Sequence, residues 1–357
     1  MKCNGRMKIN LTEEASIEEI WNTYLDKIQP ADRTSMELAK KRWNSVAKPI
    51  GSLGILEEDI IKIAGIRGNA AGITLDRSAL AVMCADHGVV EEGVSQTSND
   101  VTRIVAENFT KGETSTSKMC RISGTDLYPV DMGMDCEPTG QKEPDMHRIL
   151  DRKVARGSGN IAREPAMSRT GCLQALLSGI DLAFRLKEMG YEILAAGEMG
   201  IGNTTPAAAM SAVFTGLSPE EATGRGAGLS DAGLEKKKKA VEIAVSRFYE
   251  KYPEYRNGTK EQDESGELSA VTVLAELGGF ALAGMTGLFL GGAAAKIPVL
   301  MDGFLSTVSG LLAVLIRKEA KDYMLASHIS TEPAGTAILQ MLELPAPLHM
   351  GMHLGEG

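Results

Sequence analysis

Cysteine is scarce in this sequence, and the motifs that cysteine usually builds are absent. The five cysteines, Cys3, Cys84, Cys120, Cys136 and Cys172, are scattered without CxxC or CxxH spacing. The opening residues, MKCNGRMKINLTEE, lack the apolar run of a secretory signal. We therefore expect reduced thiols in a cytoplasmic protein rather than a disulfide framework.

Positive charge is also in deficit. The chain has 38 Lys and Arg against 47 Asp and Glu, a net charge of −9 at pH 7. A nucleic-acid binder normally needs a basic surface to meet phosphates, so this balance argues against a nucleic-acid partner. The content of 43% hydrophobic and 24% charged residues is that of a globular chain and argues against extensive disorder.

The sequence contains only one long apolar run. Residues 277–295 carry no charge and approach the length of a membrane-spanning helix, but several glycines interrupt them. Polar and charged segments flank the run closely, and a strand-like apolar stretch follows at 297–301. We therefore predict a buried helix of an α/β core and no membrane partner.

The remaining pattern predicts an α/β fold. Residues 11–70 carry helix-spaced apolar positions, with a Pro- and Gly-containing loop at 48–54. Short apolar runs then alternate with helical stretches, and these runs lie at 79–85, 127–130, 192–196 and 297–301. Such alternation indicates a parallel sheet with helices on both faces.

Acidic residues follow the predicted strands, at the edge where an open parallel sheet binds ligands. Each of the four stands beside a glycine or one residue from it: Asp86, Asp131, Glu198 and Asp302. A rim of carboxylates along this edge could accept hydrogen bonds from ribose hydroxyls or bind a cation. The metal site is the weaker alternative, because His87 is the only histidine at a strand end. A third possibility is that each acid merely begins a turn.

Three glycine-rich loops are candidates for holding a phosphate. The loop at 200–205, GIGNTT, follows a predicted strand and precedes a helix, so its backbone N–H groups and hydroxyls form a possible anion site. It matches neither GxGxxG nor a P-loop. The loops at 157–160 and 224–228 have a similar composition. Together the three favour a nucleotide or phosphosugar ligand over plain turns.

The C-terminal stretch at 353–357 places Glu356 between two glycines. A carboxylate on such a close-approaching loop could act as a general base. A frayed terminus without function is the alternative, and composition alone favours it.

Taken in order, these motifs resemble the nicotinate-nucleotide–dimethylbenzimidazole phosphoribosyltransferases, the enzyme family that activates the lower base of cobalamin. The resemblance covers roughly residues 36–357 in unbroken order. It rests on KPIGSLG (48–54), ADHGVVEEGVS (85–95), DMGMD (131–135), GSGNIAREPAMS (157–168), GEMGIGNTTPAAA (197–209), TGRGAGLSDAGLEKK (223–237), GGFALAGM (278–285), KIPVLMDGF (296–304), SHISTEP (327–333) and GMHLGEG (351–357).

The resemblance implies a homodimer with a Rossmann-like parallel sheet flanked by helices and a smaller helical domain. Residues 1–70 and 311–357 would build the small domain, and residues 71–310 the large one. The implied reaction transfers phosphoribose from nicotinate mononucleotide to 5,6-dimethylbenzimidazole. Its products are α-ribazole 5′-phosphate and nicotinate, and it needs no metal or other cofactor.

The resemblance also implies roles for individual residues. Glu356 would be the general base, and Glu198 would hold the nucleotide or assist at the reacting centre. Lys237 would be the counter-charge of the phosphate, while Ser95 and Met199 would line the base pocket. The further substrate contacts that it implies are Gly200, Gly202, Asn203, Thr204, Thr205, Ser158, Gly159, Asn160, Gly226, Asp302 and Leu354.

The sequence departs from the family pattern in two places. After the DHG motif the family commonly has GVSxYPQEVTxQ, whereas residues 93–103 here are GVSQTSNDVTR. Arg103 replaces a neutral amide and could stack on the base or point to solvent, so we predict a base preference that differs from, or is broader than, dimethylbenzimidazole. The chain also ends at Gly357, where family members continue into a helical segment. We therefore expect a poorly placed catalytic loop and weak activity.

Three other functions stay open. The same transfer could use a purine, another benzimidazole or a phenol as acceptor. A non-catalytic nucleotide-binding subunit would fit the early chain end. An NAD-dependent oxidoreductase is disfavoured, because the loop at 200–205 does not match GxGxxG.

Overall fold

The computed structural model describes residues 16–136, 148–257 and 266–356. Cys3, the first residues of the predicted helical region and Gly357 lie outside these ranges. The helices are α1 (Ile17–Leu25), α2 (Arg33–Ser45), α3 (Ile55–Arg67), α4 (Asp100–Lys111), α5 (Ser115–Ser123), α6 (Arg169–Glu188), α7 (Thr204–Thr215), α8 (Pro219–Ala222), α9 (Asp231–Lys251), α10 (Gly266–Leu277), α11 (Phe280–Ala295), α12 (Phe304–Ile316) and α13 (Pro333–Leu342). The strands are β1 (Ser78–Ala85), β2 (Thr125–Gly133), β3 (Leu150–Asp151), β4 (Ile193–Met199), β5 (Val299–Met301) and β6 (Met324–Ala326).

The strands form one parallel sheet in the order β3-β2-β1-β4-β5-β6. The chain moves outward from β1 to β3 and then returns to the other side of β1 for the remaining strands. This is the Rossmann-type order, in which the switch point between β1 and β4 opens a ligand crevice at the carboxyl ends of the strands. The parallel sheet with flanking helices is therefore confirmed.

Strand β1 is buried along nearly its whole length, because helices cover both faces of the sheet. Its residues alternate between two apolar clusters, as the two-residue period of a strand requires. Ala79, Ala81 and Met83 pack with α6 and α11 on one face. Leu80 and Val82 pack with α4 and α5 on the other face. The second cluster reaches the end of β4 and forms the floor of the site described below.

The uncharged run at 277–295 forms the end of α10 and all of α11, and the predicted buried helix is confirmed. Helix α11 packs against α6 through glycines. A Cβ atom added to Gly179 would come within 2.0 Å of the Gly284 carbonyl oxygen, so only glycine permits this close approach. None of the helices in the described ranges combines the length and apolar character needed to cross a bilayer.

The N-terminal helices contact two different parts of the molecule. Helix α3 packs against the segment before β6, where Lys62 Nζ donates a 2.6 Å hydrogen bond to the Met324 carbonyl oxygen. Helix α1 packs on α6, where the rings of Tyr24 and Phe184 lie 5.6 Å apart. The division into a large and a small domain stays a proposal.

Candidate active site

A cavity of about 740 Å³ opens at the carboxyl edge of the sheet, beside the switch point. Its walls come from the loop after β1, helix α5, the end of β4 and the loops that follow β4, β5 and β6. The loop before α9 and the C-terminal segment close it. Most of the residues predicted for substrate contact line this cavity: Ser95, Glu198, Met199, Gly200, Gly202, Asn203, Thr204, Gly226, Asp302, Leu354 and Glu356.

Lys237 lies behind the cavity wall rather than in it. Its side chain is fully buried, and its Nζ donates 2.8 Å hydrogen bonds to Thr204 Oγ1 and to the Gly224 carbonyl oxygen. Burial lowers the pKa of Lys237 to about 8, and the Glu332 carboxylate opposes that shift. The resemblance predicts a phosphate beside Thr204, the loop 224–228 and Lys237, and we call this group the phosphate cradle. Thr205, the next predicted contact, is fully buried and does not line the cavity.

The loop at 157–160 occupies a different position from the one predicted. The Ser158 N–H donates to the Asp86 carbonyl oxygen, and the Gly88 N–H donates to the Ser158 carbonyl oxygen, both at 3.0 Å. Asn160 Nδ2 donates a 2.8 Å hydrogen bond to Glu92 Oε1. Ser158, Gly159 and Asn160 are absent from the cavity lining, and their hydrogen bonds brace the loop after β1.

Only two of the four strand-end acids reach the cavity, namely Glu198 and Asp302. Asp86 is buried and accepts a 2.8 Å hydrogen bond from the Asp135 N–H. Asp131 accepts from the Met134 N–H at 2.9 Å, which is the turn-forming role left open by the sequence. The rim is therefore formed by β4 and β5, not by β1 and β2.

Glu198 is the most strongly perturbed acid in the cavity. Its side chain is buried at the end of β4, and Asn203 Nδ2 donates a hydrogen bond to it. Burial raises the pKa of Glu198 to about 8; the Asp302 carboxylate adds to the shift, and the hydrogen bond from Asn203 opposes it. At neutral pH the carboxyl group is therefore protonated and can donate a hydrogen bond to a substrate oxygen.

Glu356 is anchored at the N-terminus of α5. Its Oε2 accepts hydrogen bonds from the Ser115 and Thr116 N–H groups, at 2.9 and 3.3 Å. Its carbonyl oxygen accepts a 2.7 Å bond from Thr116 Oγ1. Backbone N–H groups at a helix N-terminus are natural partners of a carboxylate. The sequence predicted a poorly placed loop, whereas the structure holds Glu356 in the cavity wall.

The cavity also has an apolar part, of which the sequence predicted only Met199. Its side chains are Leu80, Met119, Cys120, Ile122 and Met199. Helix α5 supplies three of them, and no motif marks that helix. The only signal available was its position between two strands, which places it over the sheet.

Of the two positions that the sequence left open for Arg103, the structure does not show the one in the base pocket. It forms a 3.0 Å ion pair with Glu107 along α4 and is not part of the cavity lining. An i, i+4 partner on its own helix satisfies the guanidinium locally. Gln96 and Thr97 belong to the same segment, residues 93–103, which differs from the family pattern, and both line the cavity. Gln96 Nε2 donates a 2.6 Å hydrogen bond to the Gly228 carbonyl oxygen.

His87 does not contribute to the cavity either. It is buried, and burial lowers the pKa of its ring to about 4, so the ring is neutral. A Cβ atom on Gly279 would come within 2.5 Å of the ring, which shows how tightly the imidazole is enclosed. Within the described ranges, no group of three or more His, Cys, Asp or Glu side chains is placed to hold a metal ion.

Known proteins of one family share this chain's sequence and fold. A family model described as Phosphoribosyltransferase matches residues 28–357. The nicotinate-nucleotide–dimethylbenzimidazole phosphoribosyltransferase of Ruminiclostridium cellulolyticum is 37% identical over 333 residues, covering 93% of this chain and 88% of the relative. The protein of the same name from Yersinia enterocolitica is 40% identical over 336 residues, covering 94% and 89%.

Solved structures lead to the same family. The crystal structure of CobT from Thermus thermophilus is similar with a TM-score of 0.80 and 36% identity, covering 91% of each chain. A crystal structure of nicotinate-nucleotide–dimethylbenzimidazole phosphoribosyltransferase from the same organism gives a TM-score of 0.77 at 34% identity, again over 91% of each chain. The chain therefore belongs to the nicotinate-nucleotide–dimethylbenzimidazole phosphoribosyltransferase family.

Proposed function

We propose that the protein is a cytoplasmic homodimeric enzyme that transfers phosphoribose from nicotinate mononucleotide to 5,6-dimethylbenzimidazole. The products are α-ribazole 5′-phosphate and nicotinate, in the lower-ligand branch of cobalamin synthesis. The observation that carries this proposal is one cavity that combines a phosphate cradle, an apolar compartment and the carboxyl groups of Glu198 and Glu356. Membership of the family supports the same reaction.

The phosphate cradle suits the 5′-phosphate of the nucleotide. The buried ammonium group of Lys237 lies behind the Thr204 hydroxyl, so positive charge stands close to the cavity wall without being exposed to water. In such a dry setting a cation interacts strongly with a phosphate. Asn203 and Gly202 continue this wall toward Glu198 and the reacting carbon.

The apolar compartment suits the methylated benzimidazole. Met199 and Cys120 face it from β4 and α5, and burying an aromatic ring against such side chains is favourable. Ser95 stands in the same wall and supplies a hydroxyl. The predicted roles of Ser95 and Met199 at the base pocket are compatible with this placement.

The chemistry requires one base and no acid. One ring nitrogen of the benzimidazole attacks C1′ from the face opposite nicotinate, and the bond from C1′ to the pyridinium nitrogen breaks. Nicotinate leaves with that electron pair as a neutral pyridine ring, so no proton is needed on it. The other ring nitrogen of the acceptor loses its proton to a carboxylate. Attack from the opposite face converts the β-nucleotide into the α-product.

Glu356 is the better candidate for the general base. Glu198 is protonated at neutral pH and cannot accept a proton there, although it can donate a hydrogen bond to the ribose. Glu356 is hydrogen-bonded to the N-terminus of α5, and α5 also forms the wall of the apolar compartment. The carboxylate thus stands next to the place proposed for the acceptor ring.

Substitution of Glu356 tests this assignment. We expect Glu356→Gln to lower kcat by about 10²–10⁴-fold, because general bases typically supply that factor. The KM for nicotinate mononucleotide should change little, since the phosphate cradle is untouched. Steady-state kinetics of nicotinate release would measure both. A near-normal rate for Glu356→Gln together with a large loss for Glu198→Gln would transfer the role to Glu198.

A panel of acceptor bases tests the function itself. Wild-type protein would be incubated with nicotinate mononucleotide and dimethylbenzimidazole, benzimidazole, adenine or a phenol, and the products separated by chromatography. We expect α-ribazole 5′-phosphate from dimethylbenzimidazole, because its methyl groups bury apolar surface in the compartment. No product from any base would refute the proposal. The order of preference among the bases stays a prediction.

The same panel of bases, used on Arg103→Gln, tests whether residues 93–103 influence the choice of acceptor through Arg103. We expect an unchanged order of acceptors, because Arg103 pairs with Glu107 outside the cavity lining. Thr97→Ala is the matched comparison, since Thr97 belongs to the same segment and does line the cavity. A changed order in Arg103→Gln alone would support the stacking role that the sequence left open.

A further inference from the structure

Glu332 is placed to cap a helix but does not do so. It is the N-cap residue of α13, directly before Pro333, and its side chain makes no hydrogen bond to that helix. The preferred N-cap residues are Ser, Thr, Asp and Asn, whose short side chains reach the first backbone N–H groups of the helix. The longer side chain of Glu332 makes its contacts outside α13 instead.

The side chain of Glu332 reaches the phosphate cradle instead. Its Oε1 accepts a 2.8 Å hydrogen bond from the Gly226 N–H. Its Oε2 is buried, has no hydrogen-bond partner within the described ranges, and lies so close to Gly224 that a Cβ atom there would come within 2.3 Å. The carboxylate is therefore fitted against two residues of the loop at once.

The part of the loop that Glu332 holds is the part that contacts Lys237. Lys237 Nζ donates to the Gly224 carbonyl oxygen at 2.8 Å. A Cβ atom on Gly226 would come within 2.9 Å of Thr204 Oγ1 and 3.5 Å of Lys237 Nζ. A shift of the loop by even an ångström would therefore alter the arrangement of the ammonium group and the hydroxyl.

We propose that Glu332 is a positioning residue that holds the loop 224–228 in the shape that places Thr204 and Lys237 for the phosphate. The inference rests on the proposed function, in which this cradle binds the 5′-phosphate. It also changes the part predicted for Gly226: its N–H is engaged by Glu332, and the phosphate meets the Thr204 hydroxyl, which has the ammonium group of Lys237 behind it.

Calorimetric binding of two ligands tests the proposal without requiring turnover. The ligands are nicotinate mononucleotide and nicotinate riboside, which lacks the phosphate. We expect Glu332→Ala to weaken nucleotide binding about tenfold, the effect of losing one hydrogen bond to a charged group. Riboside binding should stay unchanged, because the phosphate cradle does not meet that ligand. Glu332→Gln keeps an oxygen for the Gly226 N–H and should restore most of the nucleotide affinity.

Two further variants provide a second perturbation of the same contact and a matched control. Gly224→Ala leaves Glu332 in the chain but places a methyl group against its carboxylate, so it should reproduce the selective loss of nucleotide affinity. Glu343→Gln is the matched control, because Glu343 lies at the other end of α13, is exposed and forms its ion pair with Lys321, away from the cradle. It should bind both ligands as the wild type does.

The outcomes separate the two proposals. Failure of the wild type to bind nicotinate mononucleotide would refute the proposed function. Normal wild-type binding with equal loss of both ligands in Glu332→Ala would make Glu332 a general structural residue and overturn the inference. Tighter nucleotide binding in Glu332→Ala would overturn it as well, since the carboxylate would then compete with the phosphate.

Discussion

Glu198 links the stability of this protein to pH. Burial raises its pKa from the ordinary value of 4.5 to about 8. Between these values the folded state holds a proton that the unfolded state has released, so the free energy of unfolding falls as pH rises through this window. Each pKa unit corresponds to ~1.4 kcal/mol.

A neutral amide at this position removes that dependence. We expect Glu198→Gln to exceed the wild type in stability at about pH 9 and to match it near pH 4, where the wild-type carboxyl is protonated in both states. Urea denaturation at several pH values would measure the difference. Glu235→Gln, an exposed change on α9, should follow the wild type throughout. A stability gap between Glu198→Gln and wild type that does not vary with pH would contradict the assigned pKa.

Individual site residues could be predicted where glycine and polar residues follow a strand. Glu198, Asn203 and Thr204 are examples. The strand, the turn and the start of the helix follow one another directly in the chain, so the motif GEMGIGNTT indicates all three. Met119 and Ile122 could not be predicted, because they reach the cavity only through the packing of α5 on the sheet. The hydrogen bond of Glu332 joins residues 106 positions apart, which a local pattern does not encode.

At the scale of elements, the sequence predicted the strands that contain a continuous apolar run. Strands β1, β2 and β4 each contain such a run, and so does the three-residue strand β5, which lies within the apolar residues 297–301. Strands β3 and β6 are two and three residues long and depend on a neighbouring strand for their hydrogen bonds. Such short segments carry too few residues to show a period, so only the assembled sheet defines them.

Helices α9 and α10 are joined by a buried carboxylate. Glu276 on α10 accepts hydrogen bonds from Arg247 Nη1 at 2.9 Å, Lys251 Nζ at 2.5 Å and Tyr252 OH at 3.2 Å. Burial alone would raise the pKa of Glu276, but the two cations outweigh it and hold the pKa below its ordinary value. Stability from this carboxylate is therefore present above the ordinary pKa of 4.5 and is lost as pH falls through the folded value.

Removing the charge of Glu276 should weaken the contact between α9 and α10. We expect Glu276→Gln to lower the free energy of unfolding by about 1.5–3 kcal/mol at neutral pH, the range for hydrogen bonds to charged groups. The loss should shrink toward acid pH, where the wild-type carboxylate is itself protonated. Glu242→Gln is the matched control, because its pair with Lys239 is exposed and exposed pairs contribute at most about 1 kcal/mol. Equal urea midpoints for Glu276→Gln and the wild type would exclude this role.

At the scale of the molecule, the site is assembled from segments spread over most of the chain. Its wall runs from Leu80 to Glu356, and each segment is brought in by the order of the strands. The parallel sheet and its carboxyl edge could be predicted from the sequence, because alternation and strand-end polarity are local. The contribution of α5, the tail anchored on it and the bracing position of residues 157–160 follow only from the completed packing.

The proposed homodimer gives a last prediction, argued from the exposed surface of α5. Met119 and Ile122 are 63% and 85% exposed and stand at the mouth of the cavity. A contiguous apolar patch beside a binding site is the kind of surface that a protein partner covers, and we take these two side chains as part of such a patch. A second copy of the chain that covers α5 would bury these side chains and close the apolar compartment over the base.

We expect Ile122→Glu to shift the protein from dimer to monomer, because a charge cannot be buried against an apolar partner without a counter-ion. Sedimentation equilibrium over a range of concentrations would measure the masses. Ile243→Glu, a partly exposed position on α9 away from the cavity, should leave the dimer intact and controls for the added charge. Base binding should weaken in Ile122→Glu more than nucleotide binding, since α5 lines the apolar compartment and not the phosphate cradle. A wild type that sediments as a monomer, or an Ile122→Glu variant that stays dimeric, would show that α5 is not the dimer surface.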